Sequence, residues 1–94
     1  MKINFSQKAY QNLEEIASYI YTQSKSKTIT AKHMQKLKKY IHFALSNFPN
    51  IGRPAEEFGK GIRKLIFQRY SILYIIQTTH IDIVAIYREN LPDL

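Results

Sequence analysis

"GIRKLIFQRYSILY", residues 61–74, decides the architecture. Charged and apolar residues interleave through Phe67, and an apolar, β-branched run follows Tyr70. Side chains of a strand project alternately to its two faces. The stretch therefore predicts a β-hairpin, with strands over about Ile62–Phe67 and Ser71–Gln77 and "QRY" as the tight connection. A third strand over about Ile81–Tyr87 follows "TTH". Three basic residues, Arg63, Lys64 and Arg69, lie in the hairpin. They could carry chemistry on RNA, bind a partner, or keep a sheet face wet.

Upstream the period changes from two to about 3.6. Ser6 can cap a helix in which Ala9, Leu13, Ile16 and Ile20 recur at three- and four-residue spacing, with Tyr10, Ala17 and Tyr21 beside them. That broad apolar face runs to about Ser24, and the periodicity directs Tyr10 and Tyr21 toward the core, as strand alternation does Tyr74. "SKSKT" reads as a polar connector. A second helix is predicted from about Thr30, carrying Met34, Leu37, Ile41, Leu45 and Phe48 and stopped by Pro49. Two amphipathic helices on a short link form an antiparallel hairpin. "KINF" before them reads as an edge strand, "PNIGRPAEEFGKG" as a loop, and "ENLPDL" as a polar tail. The order is βααβββ: a helical hairpin packed on a small antiparallel sheet, α+β in class. The expected core comprises Leu13, Ile16, Ile20, Leu37, Ile41, Leu45, Leu65, Ile72, Tyr74, Ile83 and Ile86.

Ninety-four residues suit a single domain over 1–94. The chain has no cysteine, so a disulfide framework and a thiolate metal site are excluded. No apolar run approaches the ~20 residues of a membrane span, and the N-terminus shows no signal-peptide pattern. A cytoplasmic location is expected. The formal charge of +7 favours an anionic partner. Residues 1–50 carry eight lysines against two glutamates, and all four arginines lie beyond them. His33, His42 and His80 are far apart and show no metal-ligand spacing, so surface positions and no metal are expected.

The ordered set of a helix pair, "FPNIGRP" (48–54), "GIRKL" (61–65), "YSILY" (70–74) and "IDIVAI" (81–86) before a basic residue resembles the RelE/ParE superfamily of type II toxins. "GRPAEEF" followed by "GIRKL" leans toward its ParE branch. The resemblance implies a bacterial toxin–antitoxin module: a toxin blocked by a cognate antitoxin in a hetero-oligomer. RelE-type members cleave mRNA in the ribosome, and ParE-type members inhibit DNA gyrase.

Metal-independent RNA cleavage needs a proton-transfer group and cations to stabilise charge developing on the phosphate. RelE-type toxins typically place an Arg in the second position of a Y-R-x-x-Y pattern, where this chain has Ser71 between Tyr70 and Ile72. They also usually carry a Tyr or His near the C-terminus. Here Tyr87 and Arg88 lie near that region, and no aromatic residue follows. Both departures speak against cleavage, so no catalytic residue and no cofactor are expected. The residues expected to bind a target or an antitoxin are Arg63, Lys64, Arg69, Tyr87 and Arg88, with Lys32, Lys36 and Lys39 on the outer face of the second helix. For Arg63, a structural role pinning Glu56 or Glu57 of the preceding loop is the competing expectation. The leading expectation is a gyrase inhibitor. A ribosome-dependent mRNA endonuclease and a basic nucleic-acid-binding module are the alternatives.

Overall fold

The computed structural model describes residues 1–89. Of the polar tail, only Glu89 is among them. Strand β1 (Lys2–Phe5) leads into helix α1 (Gln7–Ser24). The Ser6 hydroxyl accepts a hydrogen bond from the Ala9 N–H at 3.0 Å and donates to the Val84 carbonyl at 2.9 Å. One side chain thus caps the helix and ties its start to the sheet. Lys25, in the left-handed region at φ 57°, ends α1 with its N–H on the Tyr21 carbonyl.

Helix α2 (Lys27–Asn47) begins three residues before the predicted Thr30. Ser26 caps it, accepting from the Ile29 N–H at 3.1 Å, so the connector shrinks to Lys25 and Ser26. Strand β2 (Arg53–Pro54) lies within the stretch read as a loop and precedes a 3-10 turn at Glu56–Phe58. Strands β3 (Ile62–Phe67), β4 (Tyr70–Ile76) and β5 (His80–Arg88) complete the chain.

The sheet order is β1-β5-β4-β3-β2, with β1 at an edge as expected. β1 pairs in parallel with β5, from Lys2 opposite His80 to Phe5 opposite Ile83, whereas the other three pairings are antiparallel. The sheet is therefore mixed. A parallel neighbour requires a long crossover, and here everything from α1 to β4 separates the two strands. Pro54 lacks the N–H an inner strand needs and is tolerated because β2 is the opposite edge.

Both helices pack on one face of the sheet. Leu37, Ile41, Leu45, Ile72, Tyr74, Ile81, Ile83 and Ile86 are fully buried between the layers. A bulge opposite Leu73 and Tyr74 skips Val84 in the register, which keeps Ile83 and Ile86 both toward the helices. Two expectations need correction. Tyr10 and Tyr21 are exposed, at 57% and 44%, because the sheet covers only the stripe through Ala9, Leu13 and Ile16. Ile20 is half-buried at the core's margin. No described helix is long and apolar enough to cross a membrane.

Among the described residues, no helix covers the second face of the sheet. A smaller apolar layer of Ala55, Ile62, Leu73 and Ala85 lies there, with Ile75, Val84 and Tyr87 packed against it.

Candidate functional site

On that open face, Lys64, Ser71 and Glu89 form one polar cluster. Ser71 is opposite Tyr87 on β5 and Ile66 on β3, and is fully buried. Its hydroxyl donates to Glu89 Oε1 at 2.7 Å, and Lys64 Nζ donates to the same oxygen at 2.8 Å. The Lys64 ammonium also lies 5.9 Å and 5.7 Å from the ring centres of Phe58 and Tyr87. Hydrogen bonds from Lys64 and then Ser71 hold the Glu89 carboxyl below its ordinary range, and the bond to Glu89 holds the Lys64 ammonium above its own. Position 71 thus holds a short neutral hydroxyl, and the neighbouring Lys64 is neutralised within the chain.

Arg63 and Lys64 project to opposite faces, as alternation requires. Arg63 lies opposite Tyr74, on the helix side, and its Nη2 donates to the Asn50 carbonyl at 3.0 Å. It does not pin the acidic loop: Glu57 is held instead by Arg53, at 3.0 Å. The "FPNIGRP" stretch is organised by Tyr74. The Tyr74 hydroxyl donates to the Pro49 carbonyl at 2.7 Å and accepts from the Gly52 N–H at 2.9 Å. A Cβ on Gly52 would stand 2.8 Å from both the Tyr74 ring and the Lys64 carbonyl, so only glycine fits this approach.

Of the remaining expected residues, Arg69 and Arg88 lie at the tip of the β3–β4 hairpin, on the helix side. The Arg88 guanidinium stacks on Tyr19, 4.4 Å from the ring centre. His33 Nε2 lies 2.7 Å from the Tyr70 hydroxyl. Arg69, in the turn, completes the wall of a cleft of about 330 Å³ with Ile20, His33, Gln68, Tyr70 and Arg88. Burial, then Lys36, then Arg88 hold the His33 imidazolium below its ordinary range. Burial raises the Tyr70 phenol. Lys32, Lys36 and Lys39 are exposed along α2, as expected.

The basic residues are therefore divided between two faces, and no single site unites them. Two participants escaped the sequence reading. Glu89 read as tail, with nothing local to mark it. His33 read as a surface residue, although it stands one turn before Leu37 in the row that continues to Ile41 and Leu45, and that spacing was a usable signal.

A helical hairpin on one face of a mixed sheet, with the other face open, defines the RelE/ParE class of toxin folds. Among the solved structures that share it are two toxin–antitoxin systems. One is described as the chromosomal ParDE toxin–antitoxin system from P. aeruginosa. It aligns with a TM-score of 0.77 at 21% identity, over 96% of this chain and 97% of that one. The other is the RelBE2 toxin–antitoxin complex from Mycobacterium tuberculosis, with a TM-score of 0.68 at 18% identity, over 94% and 96% of the respective chains. No curated protein matches the sequence. The family model described as the ParE toxin of the type II toxin–antitoxin system parDE matches residues 3–90. The chain belongs to that family and is a ParE-type toxin.

Proposed function

We propose that this toxin inhibits DNA gyrase by binding, without bond-making chemistry of its own, and is neutralised by a cognate antitoxin in the cytoplasm. The observation that carries the reading is Ser71. A hydroxyl cannot replace a guanidinium as a partner for developing phosphate charge, and this one is committed to Glu89. Lys64, which could have substituted, shares the same carboxylate. Recognition residues remain: Arg63, Lys64 and Tyr87 around the sheet, Arg69 and Arg88 at the hairpin tip, and Lys32, Lys36 and Lys39 on α2. An antitoxin partner is supported by the ParDE and RelBE2 systems to which the fold is similar.

Purified toxin added to gyrase should lower the rate of DNA supercoiling or raise the level of gyrase-dependent cleavage, while ribosome-bound mRNA stays intact. Loss of a stabilising group of the RelE kind typically costs about a hundred- to a thousand-fold in rate. Codon-positioned cuts in mRNA, with gyrase unaffected, would overturn the assignment in favour of the endonuclease.

A further inference from the structure

The cleft at the hairpin tip is cationic and lies on the opposite side of the sheet from Ser71. Three cationic or protonatable side chains converge on it from three places in the chain: His33 from α2, Arg69 from the β3–β4 turn and Arg88 from β5. Lys36 stands one turn on from His33, close enough to depress its protonation. Among the described residues, the ion pairs are Arg53–Glu57, Lys64–Glu89 and His80–Asp82, so neither Arg69, Arg88 nor Lys36 meets a carboxylate. Among the described residues, no acidic side chain lines the cleft. Glu15 lines an adjoining cleft of about 280 Å³, which shares Tyr70 and Arg88 and extends toward α1.

The Arg88 guanidinium carbon lies 4.4 Å from the Tyr19 ring centre, a cation–π contact that leaves its N–H groups able to donate, and among the described residues no acceptor takes them. Tyr70, held by His33, supplies a hydroxyl at the floor. An arginine fork, a second arginine, a hydroxyl and an imidazole that can gain a proton match the oxygens of a phosphate. Lys36 and Lys39 continue the charge along α2, so the surface suits a strand of phosphates better than a single one.

We propose that this cleft binds the phosphodiester backbone of a nucleic acid, with Arg88 and Arg69 as its phosphate contacts, His33 as a protonation-dependent third, and Lys36 and Lys39 as the track leading from it. The proposal is independent of which enzyme the toxin inhibits. It holds or fails without any gyrase measurement.

The test uses the full chain and fluorescence anisotropy on a labelled 20-base-pair DNA duplex and an RNA strand of the same length, across a salt series. About four neutralised phosphates give a slope of log affinity against log salt near −3 to −4. Binding of either probe with such a slope supports the site, and the tighter probe names the nucleic acid. Combining Arg69→Gln with Arg88→Gln should remove about two units of slope. Arg88→Lys, which keeps the charge, should largely restore it. Arg53→Gln, at the far edge of the sheet, should leave it unchanged. Affinity should also rise as the pH falls from about 7 to about 5, a low window because burial, Lys36 and Arg88 hold the free His33 imidazolium below its ordinary range, and His33→Gln should remove most of that rise. Equal loss in the Arg53 variant, equal competition by poly-glutamate of matched charge, or no binding of either probe at low salt would overturn the proposal. Circular dichroism of each variant separates loss of binding from loss of fold.

Discussion

Gly52 shows how much one missing atom can settle. Its N–H meets the Tyr74 hydroxyl, and its Cα hydrogens occupy the space a Cβ would need between the Tyr74 ring and the β3 backbone. Tyr74 is fully buried, so it cannot swing away without opening the core. Gly52→Ala should therefore cost about 1–3 kcal/mol, the usual range for forcing atoms into a packed site. The cost should appear as a lower midpoint in a urea melt with an unchanged m-value. Gly61→Ala should also destabilise, but for a different reason. It has open space around it and pays only for its positive φ of 78°. Glu89 carries the opposite lesson. It has no helical or strand periodicity to announce it, yet it neutralises Lys64 and engages Ser71.

At the scale of elements, α2 presents two chemically distinct faces. Leu37, Ile41 and Leu45 are buried against the sheet, while Lys32, Lys36 and Lys39 are exposed. Leu45→Ala should cost about 2–5 kcal/mol through lost burial and the cavity left behind. Lys36→Ala should move stability by about 0.5 kcal/mol or less. Equal shifts in a denaturant melt would show that the helix is phased differently. The start of α2 was readable in principle from Ser26, whose side chain caps the Ile29 N–H. The apolar pattern alone pointed further on, because its first buried member is Met34. Mean periodicity locates the middle of a helix, whereas capping chemistry locates its end.

For the whole molecule, the charge distribution and the open sheet face bear on partner binding. Lysines dominate the first half of the chain, and among the described residues no helix lies over the apolar layer around Ile62, Leu73 and Ala85. Ile66 is 56% exposed on the same face. β3 also continues past the two-residue β2, so among the described residues no strand pairs with the outer edge of Leu65–Phe67. An acidic antitoxin segment with apolar anchors should bind such a surface, with the anchors setting affinity and the lysines setting the association rate. In co-purification with a cognate antitoxin, raising salt should slow association more than it speeds dissociation. Failure of the complex to form at low salt would count against the reading.

The amino-acid sequence by itself determined the element order, most of the core and the hairpin. These follow from local periodicity, turn chemistry and the positions of Ser6 and Pro49, each of which acts within a few residues. The ParE-like motif set was legible in the same way. Only the tertiary structure decided the parallel pairing of β1 with β5, because its partners are about 78 positions apart and edge strands carry no orientation signal. The bulge at Val84 likewise decided which residues near the end of β5 face the helices. Tertiary structure also divided the basic residues between two faces: Lys64 was drawn to Glu89, and Arg88 was placed over Tyr19 beside His33. Charge is written in the sequence, but whether a charge is neutralised or left open depends on which distant residues the fold brings within about 4 Å of it.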